Sequence, residues 1–461
     1  MIYIYIIINK FMKNYITKLS AHEIGTLLSE KKIDPVNLLE LFIENYKNAP
    51  EYTKNAVSRV LKKDALIQAE LSWKRQKENR RLSFFDGIPT GWKDVIDIEN
   101  YPAFGGSKLL KKLRKNMKVK DAQIISTAKE KGIIPLFKTS TVEFAFGGLG
   151  VNRSVKYGKN QMQKGSYCPG GSSSGSASSV FSNLVPIAVG TDTAGSIRIP
   201  SCWHGLVGFK PTYNTISIEG VIPLAKSYDT VGTVCKNVKD SLFFYNILSE
   251  KNFIYSSLKK RSKIAIVNDF ILPDLENKDK LIFNDFLNKL NNYDFDIQAI
   301  EVPEFKIVNK IIEEDGGLVN YEAWHYWKKY IKKDISMIDK NVASRFLIGK
   351  NMSDKVFYET KYKINKLKKK IYTYFKNIDF LILPTLSIKP PKIKEVLDEK
   401  KYIFYNNLVL SNTRIANLFN LPAITFPVKN NYWLSCSILG KENKDKDVLS
   451  ISQEIESINY N

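Results

Sequence analysis

The chain has 461 residues, of which 44% are hydrophobic and 12% aromatic, which is enough material for a large buried core. Its 70 basic and 47 acidic residues give a formal charge of +23, which permits contact with RNA or another anionic surface. No apolar run approaches the roughly 20 residues of a membrane-spanning helix. The composition therefore argues against a membrane span and predicts a folded globular protein.

Residues 1–16 are interpreted as an N-terminal extension, or as sequence ahead of a true start at Met12, and residues 17–461 as the folded domain. The opening apolar run has no basic residue before it and no small-residue cleavage site after it, unlike a secretory signal. Four cysteines without Cys-x-x-Cys spacing predict neither a metal site nor a disulfide framework. A cytoplasmic location fits this cysteine usage best.

Between residues 19 and 77, apolar positions recur at helical spacing and predict two or three amphipathic helices that cover a sheet. Ser20 and Glu23 form the capping-box pattern. Asp34 followed by Pro35 offers a cap and a first-turn proline for the next helix.

From residue 85 onward, short apolar runs alternate with helical stretches and with glycine and proline. Strands are predicted at residues 133–137, 185–189, 206–209, 263–267 and 380–383. Helices are predicted at residues 122–131, 279–291 and 356–374. This alternation is typical of an α/β sheet protein.

The segment from Cys168 to Ser179 is rich in glycine and serine. Such a run alone is typical of a linker, or of a phosphate-binding loop, although the lysine that ends a Walker loop is absent. A second cluster, Gly190-Thr-Asp-Thr-Ala-Gly-Ser196-Ile-Arg-Ile-Pro200, follows an apolar run. Small residues before a serine allow several backbone N–H groups to point into one pocket, as an oxyanion requires. A linker gives no reason for the second cluster.

Together the two clusters resemble the signature of the amidase signature family, with the family's spacing between Ser172 and Ser196. Upstream, Gly87-Ile-Pro-Thr-Gly-Trp-Lys93-Asp94 resembles the segment that carries the family's lysine. The likeness extends from about residue 19 to about residue 454. It implies one large α/β domain with a mixed β-sheet covered on both faces by α-helices.

The resemblance also implies a hydrolase that cleaves a small-molecule carboxylic amide through a Ser-cisSer-Lys triad and an acyl-enzyme, without cofactor or metal. Ser196 would be the nucleophile, Ser172 the proton relay and Lys93 the base. The oxyanion hole would be formed by backbone N–H groups of Ser196 and of three residues before it, Thr193, Ala194 and Gly195. Because the chain has only three histidines, none in a recognisable setting, a Ser-His-Asp site has few candidates for its base.

Each site residue also has a structural interpretation. Taken alone, Lys93 could be a solvated surface lysine, Ser172 a helix cap and Ser196 a turn serine. Asp192 and Arg198 are expected to pair and to hold the loops in place. Cys202 and His204 follow Ser196 closely and could suggest a Cys-His site, but the family pattern gives them no role. Three aromatic residues either line a pocket or belong to the core: Phe144, Phe146 and Trp203.

Within the family, the alternative to a free-standing amidase is the glutamine-hydrolysing subunit of the aminoacyl-tRNA amidotransferase, which requires partner subunits and tRNA. Its pattern has an acidic residue seven positions before the asparagine that corresponds to Asn417, where this chain has Leu410. Arg345 lies near that pattern's arginine for the glutamine carboxylate. The alternative of another class is a non-catalytic RNA-binding or scaffold protein, which the charge would support. A homodimer is compatible with the sequence.

Overall fold

The computed structural model describes residues 15–255, 261–429 and 433–460. Its strands are β1 (Val57–Val60), β2 (Pro89–Lys93), β3 (Ile134–Thr139), β4 (Ile187–Asp192), β5 (Val207–Lys210), β6 (Thr230–Cys235), β7 (Ser262–Val267), β8 (Phe295–Ile300), β9 (Phe380–Pro384), β10 (Ala423–Pro427) and β11 (Ser435–Gly440). Its helices are α1 (Ala21–Ser29), α2 (Pro35–Asn48), α3 (Glu51–Lys54), α4 (Lys62–Lys77), α5 (Lys108–Arg114), α6 (Gln123–Glu130), α7 (Ser174–Phe181), α8 (Arg198–Trp203), α9 (Val238–Ser249), α10 (Asn277–Leu290), α11 (Pro303–Asp315), α12 (Leu318–Asp334), α13 (Lys340–Asn351), α14 (Asp354–Tyr374), α15 (Glu399–Leu418) and α16 (Asp445–Tyr460).

All eleven strands belong to one mixed sheet in the order β1-β3-β2-β4-β6-β5-β10-β11-β9-β7-β8. The pairs β3–β2, β2–β4, β9–β7 and β7–β8 are parallel, and the others are antiparallel. The predicted α/β class with a mixed sheet is confirmed. Residues 1–14 of the predicted N-terminal extension lie outside the described residues.

The strands and helices predicted from residue 122 onward are present, and each of their ends lies within three residues of the predicted end. The region between residues 19 and 77 was incompletely predicted, because β1 interrupts its helices and pairs with β3 at one edge of the sheet. This four-residue strand has no fully buried side chain, so the alternation of buried and exposed residues that would reveal it is missing.

The parallel arrangement of β2 and β4 places their carboxyl ends at the same edge of the sheet. Lys93 is the last residue of β2 and Asp192 the last residue of β4. β6 runs antiparallel to β4, so its first residue, Thr230, pairs with Asp192. Asp229 therefore lies at this edge as well. Charged groups that are distant in sequence meet there because of strand direction.

The capping box predicted at the first helix is present: the Ser20 side chain accepts from the Glu23 backbone N–H at 3.2 Å, and the Glu23 carboxylate accepts from the Ser20 N–H at 2.7 Å. We expect Ser20→Ala to lower the unfolding free energy by about 1 kcal/mol, because it leaves a helix N–H without its cap. Urea denaturation measures the change. Ser457→Ala, an exposed site in α16, is the control and should not lower the midpoint. Equal midpoints for Ser20→Ala and wild type would contradict the prediction.

Candidate active site

Lys93 is completely buried where β2 ends. Its Nζ lies 2.7 Å from the Ser172 hydroxyl oxygen and 2.7 Å from the Thr191 hydroxyl oxygen, with the Thr191 carbonyl oxygen at 3.4 Å. The interpretation of Lys93 as a solvated surface lysine is therefore wrong. The structure brings Lys93 and Ser172 together as the family resemblance implies.

Burial lowers the pKa of Lys93 to about 7, because an ammonium group loses its hydration there. The negative charges of Asp192 and Asp229 act in the opposite direction but do not cancel this effect. Near neutral pH, a substantial fraction of the amine is thus unprotonated. An unprotonated amine that contacts a hydroxyl group can accept its proton.

The glycine-serine segment is a packed loop that leads into α7, and residues 168–180 are all buried. The carbonyl oxygen of Ser172 accepts from the Thr141 hydroxyl at 3.0 Å and from the Val142 N–H at 3.2 Å. The peptide bond between Gly171 and Ser172 is cis. A flexible linker has none of these contacts, so the linker interpretation is wrong.

Ser196 lies in the turn between β4 and α8, and 5% of its surface is exposed. Its carbonyl oxygen accepts from the Ser173 N–H at 3.1 Å, which joins the two serine loops. Within the described residues, no hydrogen bond joins the hydroxyl groups of Ser172 and Ser196 directly. Ser196 also lines a cavity of about 480 Å³, whereas Lys93 has no exposed surface and is not part of the cavity wall.

The Asp192 carboxylate organises the turn that carries Ser196. It accepts from the Gly195 N–H at 2.7 Å and the Ile197 N–H at 3.1 Å. It also pairs with Arg198 at 3.0 Å, as expected from the sequence. Burial raises the pKa of this carboxyl group. The charges of Arg198 and Lys210, together with hydrogen bonds from Arg198 and Asn417, outweigh that effect and lower the pKa to about 2. Asp192 is therefore ionised and structural.

The predicted oxyanion donors do not all have the same surroundings. The Gly195 N–H donates to Asp192, whereas among the described residues the amides of Thr193, Ala194 and Ser196 have no protein acceptor. Gly195 has a φ of +124°, and a Cβ there would overlap the Thr413 side chain. Glycine is thus required at this position for conformation and for space.

Three contributors to the site were not identified from the sequence. Thr191 is the second hydroxyl partner of Lys93, and its position inside the Gly190 to Pro200 segment was the available signal. Asp229 accepts from the Thr193 hydroxyl at 2.6 Å, and burial raises the pKa of Asp229 to about 6. Asn417 accepts from Arg198 at 2.7 Å. Asp229 and Asn417 lie far from Ser196 in sequence, and only the folded structure shows that they contact its loop.

The three aromatic candidates have different positions. Phe146 lines the cavity beside Ser196. Phe144 packs edge-on against Trp327 in the core, and Trp203 is fully buried with its indole N–H donating to the Ile388 carbonyl at 3.1 Å. The pocket interpretation therefore holds for one of the three.

Cys202 and His204 are both fully buried and point to different partners. The Cys202 thiol lies 3.0 Å from the Trp433 carbonyl oxygen, and burial raises its pKa to about 12. Burial lowers the pKa of His204 to about 4. His204 Nδ1 lies 2.9 Å from the Pro200 carbonyl oxygen. These contacts are structural.

Neither a metal cluster nor a membrane-spanning helix is present within residues 15–255, 261–429 and 433–460. No group of three or more histidine, cysteine, aspartate or glutamate side chains in these ranges is arranged to hold a metal ion. No helix in that part of the chain is long and apolar enough to cross a membrane.

The chain resembles known proteins over most of its length. A family model described as "Amidase" matches residues 37–449. The glutamyl-tRNA(Gln) amidotransferase A subunit of Clostridium botulinum is 26% identical over 478 residues, covering 95% of this chain and 97% of that protein. The 2-amino-5-chloromuconic acid deaminase of Comamonas testosteroni is 26% identical over 380 residues, covering 81% of each. A solved structure described as an amidase has a TM-score of 0.85 at 23% identity, covering 95% of this chain and 99% of the other.

Fold and sequence define an α/β enzyme of the amide-hydrolase class. The chain belongs to the amidase family.

The burial of Lys93 predicts a pH-dependent contribution to stability. Its pKa is near 10.5 in an unfolded chain and about 7 in the fold, so between these pH values the unfolded state binds more protons. The unfolding free energy of wild type relative to Lys93→Met should therefore rise with pH from 7 to 10, by up to about 1.4 kcal/mol per pH unit. Urea denaturation of both proteins at several pH values measures this difference. A difference that stays constant across the range would contradict the burial account.

Proposed function

We propose that the protein hydrolyses a small-molecule carboxylic amide to the acid and ammonia or an amine through Ser196, Ser172 and Lys93. The observation that carries this proposal is the 2.7 Å contact between the buried Lys93 amine and the Ser172 hydroxyl. A neutral amine in that position makes Ser172 a proton carrier. Family membership and the retention of all three residues support an enzyme over a non-catalytic RNA-binding scaffold.

In the proposed mechanism, the Ser196 oxygen attacks the amide carbonyl carbon. Its proton passes to Ser172 as the Ser172 proton passes to Lys93, which gives a tetrahedral intermediate and a lysine ammonium. Collapse of the intermediate breaks the C–N bond, and the proton returns through Ser172 to the leaving amine. Water then attacks the acyl-enzyme by the same relay and releases the acid.

Negative charge develops on the carbonyl oxygen in both tetrahedral intermediates. We assign its stabilisation to the backbone N–H groups of Thr193, Ala194 and Ser196, which have no protein acceptor among the described residues. One well-aligned donor is worth about 3 kcal/mol in the transition state. Gly195, also expected as a donor, contributes through its bond to Asp192 in this arrangement.

The second candidate function is that of the amidotransferase's glutamine-hydrolysing subunit, with glutamine as substrate and with partner subunits and tRNA. The presence of Arg345 on the wall of the Ser196 cavity favours it. Leu410 lies on the same wall, where that subunit's pattern has an acidic residue for the glutamine ammonium. A leucine cannot pair with an ammonium group, so we favour the free-standing amidase.

A small-molecule amide is the partner that the cavity supports, and homodimerisation stays a prediction of the sequence. We also propose a cytoplasmic location. All four cysteines are free and buried, as a reducing compartment permits.

The triad predicts covalent labelling of Ser196 by a fluorophosphonate probe, with the labelled peptide identified by mass spectrometry. The labelling rate should fall about 100-fold or more in Ser172→Ala and in Lys93→Met, because each removes the route for the Ser196 proton. Ser179→Ala is the matched control: this buried serine on α7 donates to the Ser176 carbonyl at 2.9 Å and does not line the cavity. Unlabelled Ser196 in folded protein, or equal rates in all variants, would refute the triad.

The pKa of Lys93 predicts the pH dependence of the reaction. Only the unprotonated amine accepts a proton, so kcat/KM should rise about tenfold per pH unit below pH 7 and level off above it. Steady-state hydrolysis of an accepted amide between pH 5.5 and 9 measures this profile. A rate that is independent of pH over this range would rule out Lys93 as the base.

A further inference from the structure

The cavity that Ser196 lines is also lined by two arginines, Arg345 on α13 and Arg414 on α15. Both side chains are partly buried. Their hydrogen bonds go to backbone carbonyls: Arg345 Nη1 donates to the Phe146 oxygen at 3.5 Å, and Arg414 Nε to the Leu410 oxygen at 3.1 Å. Among the described residues, neither guanidinium forms an ion pair. Buried arginines are normally matched by carboxylates, so these two leave positive charge in the cavity.

The two charges act on each other. Burial lowers the pKa of each arginine to about 10, and the charge of Arg345 contributes to the lowering at Arg414. Among the described residues, Glu313 is the single acidic residue on the cavity wall. Its negative charge raises the pKa of Arg414 and so opposes this lowering, but Glu313 is itself exposed to solvent. An anion bound between the guanidiniums would relieve their repulsion and replace the water they lose on burial.

The rest of the wall is mainly apolar. Phe146, Leu224, Leu410 and Leu418 line the same cavity as Ser196. A ligand that fills it therefore meets a nucleophile, an apolar surface and a cationic group. An amide with a hydrocarbon chain and a terminal carboxylate carries one group for each of these three surfaces.

We infer that the cavity selects amides that carry a second, anionic carboxylate and lack an ammonium group, with monoamides of aliphatic dicarboxylic acids as the substrate class. The two arginines bind the carboxylate, and the amide lies at Ser196. An ammonium group would be desolvated against Leu410 and near two cations without an acidic partner, so an α-amino acid amide such as glutamine is disfavoured. The inference rests on the proposed function for its reaction, but not for its binding step.

The test measures binding to the Ser196→Ala protein, which turns nothing over. Calorimetry compares three ligands of equal chain length: glutaramate, which has the carboxylate; pentanamide, which lacks it; and glutamine, which adds the α-ammonium. We expect glutaramate to bind about tenfold or more tightly than either of the others. Adding Arg414→Gln or Arg345→Gln should abolish that preference, Arg414→Lys should retain part of it, and Arg80→Gln, which removes an exposed positive charge elsewhere, should leave it intact.

The inference is overturned if glutaramate fails to bind at millimolar concentration, if pentanamide or glutamine binds as tightly, or if neither glutamine substitution at the two arginines changes the preference. If an arginine variant does not fold, the comparison of the three ligands on the Ser196→Ala protein, which retains both arginines, still tests the inference. Failure of the proposed function shows separately, as absence of fluorophosphonate labelling at Ser196. Loss of labelling with intact glutaramate preference would leave a carboxylate-binding cavity without the triad chemistry.

Discussion

The amine of Lys93 lies between two hydroxyl groups, with no exposed surface. Keeping a lysine there in its charged form would be costly, so the fold favours the neutral amine, which is the form that the proposed base requires. Two buried carboxylates, Asp192 and Asp229, are close enough to oppose this. Arg198 pairs with the first and Thr193 hydrogen-bonds the second, so both have other partners. The chemistry of the site depends on this balance.

The sheet produces the arrangement through strand direction. Because β2 and β4 are parallel neighbours, Lys93 and Asp192 end at one edge of the sheet, and the antiparallel β6 brings Asp229 beside them. The two serine loops connect at the same edge through the Ser173 N–H and the Ser196 carbonyl. Helices α13 and α15 then supply the outer wall of the cavity with Arg345 and Arg414. The sheet thus positions the lysine that we propose as the base, whereas later helices contribute much of the cavity wall.

This division explains what the sequence could predict. Lys93, Ser172 and Ser196 stand in short segments with family spacing, and the first capping box is local, so the sequence alone predicts a role for each of them. Asp229 and Arg414 have no such local signal, because their roles arise from contacts across the sheet or the cavity. The β1 strand was not predicted for a related reason. It is defined by its pairing with β3, and its side chains show no buried face that the sequence could reveal.

The most direct test of the central claim is the titration of Lys93 itself, by NMR of protein labelled with 13C at lysine Cε. The Lys93 resonance is identified by its loss in Lys93→Met, which separates it from Lys210, another buried lysine whose pKa burial lowers to about 7. We expect this resonance to titrate with a midpoint near pH 7, because burial lowers the pKa of Lys93 to that value. A midpoint above pH 9 would show that the lysine is charged at neutral pH and would contradict its role as the base.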